Sequence, residues 1–450
     1  MPICRRDQAG TWHSWPRWRY GVVALLALNL GGAPARGGDP AHHVHAVRGR
    51  DPQGANLPHA PAATDVAPNI APVQIADDLH ALATVAACLG PRTAATLPPA
   101  LATPTGTALV EHHCRAITKR MEAYRKVYLT PRVRAFFAGV VPAEAPAVVV
   151  YPFGGGDLLS ALVAFPRASE INTISLELAG DPSRVRQLSA RALAKSLGAL
   201  RQQIGGLLSV GSNTSENLSA QQRNDLPGQV TSFLLALATM GYQPLTLRYF
   251  TVADDGTLTY LDDAALAQAQ AAAASATRRK STWQSPNFAE AFAHVELTFR
   301  AGSDPAAPIV VHRHFGWNLS NDYLKAHPGV LAYLRQKGEV SWLVKGASYL
   351  LWRSDFATMR TFIVAHLGWM LSDSTGVPPA YLRAFEQTTY GRYAGAFLAG
   401  AEAGWQRHSD DFRALWQGQP HRSLPVRFGY VDRDKQVHVV TTVRRKPRAR

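Results

Sequence analysis

At 450 residues, with 46% hydrophobic and 18% charged residues, the chain has ordinary globular composition and enough apolar surface for a sizeable core. Its formal net charge of +15 points to nucleic acid or to an anionic membrane or envelope surface. No nucleic-acid-binding module is visible, so specific nucleic-acid binding is not expected and attraction to an anionic envelope surface is the favoured reading.

The first 35 residues have the layout of a signal peptide. Arg5, Arg6, Arg17 and Arg19 form a positive region, Gly21–Leu30 is apolar, and Ala33-Pro34-Ala35 offers a small-x-small cleavage site. The apolar run falls short of the ~20 residues a membrane span needs, and no other stretch reaches that length. The expected protein is therefore exported, periplasmic or extracellular, and not an integral membrane protein after processing. Residues 36–77 are rich in Pro, Ala, Gly and His without apolar periodicity and read as a disordered spacer. Cysteine usage fits an oxidising compartment. Cys4 leaves with the leader, and Cys88 and Cys114 remain as a pair expected to form a disulfide, closing a loop worth ~3 kcal/mol in the chain-entropy model.

Residues 78–146 read as a helical N-terminal segment. Asp78–Cys88 is its first helix, and Ala108–Tyr128 places Leu109, Cys114, Ile117, Met121 and Tyr124 or Tyr128 on one side. Residues 147–443 form the expected α/β domain, and 444–450 a basic tail. Within the domain, an apolar strand at Ala147–Val150, a glycine loop and a short helix precede a second strand, Ile171–Leu178. Arg184–Leu208 is helical, Gly211–Asn217 a turn, and Asp225–Met240 a further helix. Leu245–Val252 and Thr257–Leu261 flank an Asp-Gly turn and read as a hairpin. Ala264–Lys280 is helix-prone. Val295–Arg300 and Ile309–Phe315 read as a second hairpin. Pro328–Gln336 is a helix, Val340–Leu350 a strand broken at Gly346, Phe356–Leu371 a long apolar helix, and Pro378–Gln387 and Ala394–Trp405 further helices. Leu424–Tyr430 and Gln436–Thr442 read as a closing strand pair. The order suggests a Rossmann-like mixed sheet, a parallel core with antiparallel hairpin extensions flanked by helices, similar in outline to class I methyltransferases.

The chemistry concentrates at Tyr151-Pro152-Phe153-Gly154-Gly155-Gly156-Asp157. Glycines there let a ligand approach the backbone at a helix N-terminus. Glu177 follows Gly156 at the spacing of a ribose-binding acid. The dinucleotide fingerprint fails, however. Leu159 stands where a small residue is needed, and Asp157 puts negative charge where a pyrophosphate would dock. The acidic residue that opens the methyltransferase glycine motif is also missing. No cofactor is expected; Asp157 with Glu177 favours a small polar or cationic ligand.

The same run, with Phe165-Pro166, Leu176-Glu177 and Gly180, resembles a pattern in uncharacterised secreted bacterial proteins carrying a Y-P-F-G-G-x-D motif. Asp373-Ser374-Thr375-Gly376-Val377-Pro378 and Tyr390-Gly391-Arg392-Tyr393 resemble later motifs of that group, the likeness running from Ala147 to Phe397. It implies that the glycine loop and the Asp373 loop occur together, and supplies no catalytic residues. The ligand-binding candidates are Tyr151, Phe153, Gly154, Gly155, Gly156, Asp157, Glu177, Asp373 and Ser374.

Three weaker features complete the reading. His312 and His314 alternate on a strand and share a face, which suits zinc only if further ligands join them, with Glu111, His112 and His113 as partners to consider. Ser341-Trp342-Leu343-Val344-Lys345 has one residue too many for an S-x-x-K motif, and no G-x-S-x-G is present. Trp317, Trp342, Trp352 and Trp369 cluster in the second half, as a sugar-stacking face or as core. Two functions follow: an envelope-associated binding or structural protein with a degenerate Rossmann-like cleft, or a secreted hydrolase or transferase acting on an envelope component. The sequence does not decide whether the protein is an enzyme.

Overall fold

A ten-stranded mixed sheet organises the chain, in the order β4-β3-β5-β6-β2-β1-β7-β8-β10-β9. The computed structural model describes residues 75–93, 95–207, 226, 228–275, 290–396, 399–400 and 404–444. All of them belong to the unit Asn69–Arg450. The expected leader, the turn at Gly211–Asn217 and nearly all of the spacer and the basic tail lie outside the described residues.

Five neighbouring strands are parallel: β1 (Val148–Pro152), β2 (Glu170–Ser175), β6 (Ile309–Gly316), β7 (Val340–Val344) and β8 (Leu367–Ser372). β1 sits in the middle, with Val150 opposite Asn172 of β2 on one side and Trp342 of β7 on the other. Its continuous apolar run reflects burial on both faces, as a central parallel strand requires. Antiparallel strands extend both sides. β3 (Tyr242–Val252), β4 (Leu258–Tyr260) and β5 (Val295–Ala301) add to β6, and β10 (His438–Arg444) pairs with β8 and with β9 (Phe385–Gly391). Both expected hairpins, β3/β4 and β5/β6, are present.

The sheet separates two cores. On one face, Val149, Tyr151, Ile171 and Trp369 pack with α1 (Ile75–Ala86), α2 (Pro104–Tyr128), α3 (Pro131–Val140), α4 (Leu158–Ala164), α5 (Arg184–Gln187), α6 (Ala190–Leu207) and α7 (Gly228–Met240). The N-terminal helices thus share the core of the sheet. The Cys88–Cys114 disulfide joins the end of α1 to α2, as expected. Arg125 of α2 donates to the carbonyls of Ala238 and Thr239, at 2.6 and 2.7 Å, and so satisfies the open end of α7. α8 (Asp263–Ser275) follows the β3/β4 hairpin. On the other face, Val150, Ile174, Trp342 and Met370 pack with α9 (Asn321–Ala326), α10 (Gly329–Gln336) and α11 (Ala357–Ala365). α12 (Trp405–Gln417) packs in a third, small aromatic core with Tyr349, Trp352 and Tyr393.

Several expectations are corrected. Phe356–Leu371 is not one helix: α11 ends at Ala365 and Leu367 starts β8, so Asp373 follows a strand. Pro378–Gln387 becomes a 3-10 turn, Pro379–Tyr381, followed by β9; the described residues of Ala394–Trp405 before Trp405 are not helical, and α12 runs over Trp405–Gln417. Leu424–Tyr430 is not a strand, and β10 pairs with β8 and β9. Arg184–Leu208 is broken at Leu188-Ser189. β2 ends at Ser175, so Glu177 lies in the loop beyond it, and α1 takes in the last three residues assigned to the spacer.

Candidate functional site

The loops after β1, β2, β7 and β8 leave the sheet at the same edge because these four strands are parallel neighbours. This edge carries all the ligand-binding candidates. Phe153 turns the chain out of β1 at φ 60°, a left-handed conformation uncommon for a bulky residue. It rests edge-on against Phe356, with ring centroids 5.7 Å apart. Gly154, Gly155 and Gly156 are all buried. A Cβ on Gly154 would come within 2.7 Å of the Tyr151 ring, and one on Gly156 within 2.8 Å of Gln229 Oε1 and Ser232 Cβ. Both glycines thus serve close packing, the second of them against the first turn of α7.

Asp157 caps α4, its Oδ1 accepting from the Ser160 amide at 3.1 Å. Its Oδ2 accepts from the Tyr151 hydroxyl at 3.0 Å and pairs with Lys345 Nζ at 2.7 Å. Lys345 follows β7, and its side chain is 8% exposed. The carboxylate at the glycine loop is thus neutralised by the protein itself. Burial and the neighbouring Asp157 charge hold the Tyr151 hydroxyl well above the usual tyrosine range.

The Asp373 loop meets this loop across β7. The Gly346 amide, next to Lys345, donates to Asp373 Oδ2 at 3.2 Å, and the Tyr430 amide donates to the same oxygen at 2.6 Å. Asp373 Oδ1 accepts from the Thr375 amide at 2.8 Å and from the Thr375 hydroxyl at 2.5 Å. Asp373 is fully buried, and a Cβ on Gly429 would strike it at 2.8 Å. Its carboxylate joins the loops after β7 and β8 to the segment before β10. Ser374, also buried, lies 2.6 Å from His438 Nε2, and aromatic rings of Tyr393 and Trp416 enclose the imidazole. Burial lowers the pKa of His438.

His312 and His314 do share a face, where they form a directed chain. The Glu177 carbonyl can only accept, so His314 Nε2, 2.8 Å away, carries a proton. The other nitrogen of the neutral ring, Nδ1, then accepts from the Thr173 hydroxyl at 3.0 Å. Thr173 Oγ1 in turn accepts from His312 Nε2 at 2.9 Å. Both rings are fully buried against Phe233 of α7. Burial holds His314 at about 4 and His312 well below its ordinary value. His113, on α2, instead contacts the Ala86 carbonyl at 3.1 Å. Among the described residues no three His, Cys, Asp or Glu side chains are grouped to hold a metal ion. Arg313 points to the opposite face, where it pairs with Glu170 at 3.0 Å and Glu296 at 2.7 Å. Trp317, Trp342, Trp352 and Trp369 are all buried, so they form no open sugar-stacking face.

Glu177 differs from the other acids. It is 4% exposed, and its carboxylate has no hydrogen-bond or ion-pair partner among the described residues. Ser175 Oγ, at the end of β2, and both amide atoms of Gln229, on α7, are buried without a hydrogen-bond partner. Sequence reasoning missed Lys345, His438, Gln229 and Ser175. A lysine directly after the apolar strand Val340–Val344, and a glutamine one position into the wholly buried start of α7, were the available signals.

Comparison with protein-family models, with curated proteins and with solved structures finds no match.

Proposed function

We propose that the chain is an exported binding or structural protein of the cell envelope, built on a Rossmann-like sheet whose cofactor corner has been closed or repurposed. Numbered in chain order, the five parallel strands run 3-2-1-4-5, the order of a doubly wound dinucleotide-binding sheet, and the candidates lie beyond their carboxyl ends at the point where that order reverses. The likeness to class I methyltransferases stays at this level of outline. The observation that carries the reading is the Lys345–Asp157 pair at 2.7 Å beside three buried glycines. It sets a neutralised carboxylate and packed backbone where a pyrophosphate would need free N–H groups. The Cys88–Cys114 disulfide is compatible with export, and no described helix is long and apolar enough to cross a membrane. Native mass spectrometry of the protein purified from its own host tests the reading. A co-purifying small polar or cationic molecule is expected, and a bound nicotinamide or flavin dinucleotide would refute it.

A second reading, a hydrolase or transferase acting on an envelope component, draws on one observation, the 2.6 Å contact between Ser374 Oγ and His438 Nε2. A hydroxyl within hydrogen-bond reach of an imidazole is the core of an activated nucleophile. Against it, both residues are buried and the Thr375 amide is already held by Asp373. A fluorophosphonate probe discriminates: labelling of Ser374 that is lost in His438→Ala favours the enzyme, and unlabelled protein favours binding.

A further inference from the structure

We propose that the corner between the end of β2 and the first turn of α7 is a binding site for a primary ammonium group, held by Glu177, Ser175 and Gln229. The proposal rests on the binding-protein reading and moves the site away from Asp157 and Asp373, whose carboxylates are already satisfied within the protein.

The packing places the segments that carry these groups together. Ser175 lies on the same face of β2 as Thr173, two residues on. Phe233 packs on His312 and His314, the partners of Thr173, with ring centroids 4.3 and 5.3 Å away. Gln229 precedes Phe233 by one helical turn, about 6 Å along α7, and Ser175 follows Thr173 by about 6.6 Å along the strand. The Val230 amide donates to the Ala179 carbonyl at 3.1 Å, fixing this turn of α7 against the loop that carries Glu177. Gln229 Oε1 reaches to within 2.8 Å of the Cβ position of Gly156, so the amide is directed at the glycine loop.

The chemistry of the corner is unmet. Gln229 is fully buried with both amide atoms unpartnered, and Ser175, 6% exposed, has an unpartnered hydroxyl. Buried polar groups are almost always satisfied, and leaving them unpaired destabilises the fold. Glu177 adds an unpaired carboxylate, while Lys345, the cation at the glycine loop, is held by Asp157. The corner therefore offers a carboxylate, an amide carbonyl and a hydroxyl as acceptors, and among the described residues no cation pairs with the carboxylate. A primary ammonium has three N–H donors and the complementary charge. An anion would meet the Glu177 carboxylate directly.

The test measures melting of the full chain with ethanolammonium chloride, with its neutral counterpart ethylene glycol, and with matched sodium chloride. Ethanolammonium should raise the melting temperature saturably while ethylene glycol does not. Glu177→Gln and Gln229→Met should each weaken the apparent affinity by roughly tenfold or more, near 1.4 kcal/mol. Gln229→Met should also melt above wild type without ligand, because it removes two unmatched polar atoms. An ethylene glycol response alone would overturn the ammonium assignment and leave the binding reading intact. Equal responses of wild type and both variants would overturn the site. No response to either probe would overturn the proposal, and only the further absence of any co-purifying molecule would count against the binding reading.

Discussion

Acid should unfold this protein well before its carboxylates are protonated, because buried histidines must charge. Burial holds His113 and His314 at about 4 and His294 at about 3, against an ordinary value of 6.5. With folded values depressed, the unfolded chain takes up protons below pH 6.5 that the folded chain refuses. Their stabilising contribution is full above that pH and falls as the pH drops toward the folded values. Between pH 7 and pH 5 the linkage costs about 2 kcal/mol per histidine, or roughly 5 kcal/mol for the three. This is comparable with the whole stability of a marginal domain, ~5–15 kcal/mol. His312, also held low by burial, adds to the effect. Urea titrations followed by circular dichroism, at several pH values from about 7 to about 5 with a constant m-value, read the free energy directly. The slope near pH 5 should correspond to about three protons taken up on unfolding, about 4 kcal/mol per pH unit. His314→Gln should remove close to one proton from that slope. A free-energy change below about 1 kcal/mol across the range would refute the reasoning, since it would mean that the rings accept protons in the folded state.

Other perturbations probe the glycine corner and the N-terminal helices. Lys345→Met leaves the Asp157 carboxylate nearly buried without its cation and should cost about 3–5 kcal/mol. Adding Asp157→Asn should recover part of that loss, and a strictly additive double mutant in urea melts would disprove the pairing. Gly156→Ala forces a methyl against Gln229 and Ser232 and should destabilise by about 1–3 kcal/mol. Gly139→Ala, in α3 where a Cβ meets nothing within 4 Å, should stabilise by roughly 0.5–1 kcal/mol. The Cys88→Ala, Cys114→Ala double variant should lose about 2–4 kcal/mol, and a melting temperature equal to that of oxidised wild type would contradict the role given to the disulfide.

Local chemistry made much of the fold legible. The Asp-Gly turn after Ala253 and Asp254 specifies the β3/β4 hairpin, and the apolar run at Val148 marks a central strand. The reading failed where an apolar run was short and unpunctuated. Leu367–Ser372 continues the hydrophobicity of α11 with no proline or turn cluster between them, and six residues are too few for periodicity to separate strand from helix. That single misreading put Asp373 after a helix and hid its position beside β7. The glycine loop and the Asp373 loop are linked through Lys345 and Gly346, yet no spacing rule points to either residue. Their roles come from the register of β7 against β1 and β8, a long-range property of the sheet.

The commitments of the carboxylates at the carboxyl edge define what the site can do. Four features marked it in the sequence: the glycines, Asp157, Glu177 and Asp373. Asp157 holds a helix cap, a tyrosine hydroxyl and a lysine. Asp373 takes four hydrogen bonds that fasten three segments together. A carboxylate saturated in this way has little left for a ligand, because each new contact must first break an existing one. Glu177 has no such commitment among the described residues, and neither do Ser175, two residues before it, or Gln229, on the turn of α7 that bonds to the Glu177 loop. The His312–Thr173–His314 chain ends on the Glu177 carbonyl, so the backbone that presents the free carboxylate is anchored from beneath. A buried, directed hydrogen-bond chain that ends on the backbone of an acid with no partner among the described residues is the arrangement that preorganised binding requires.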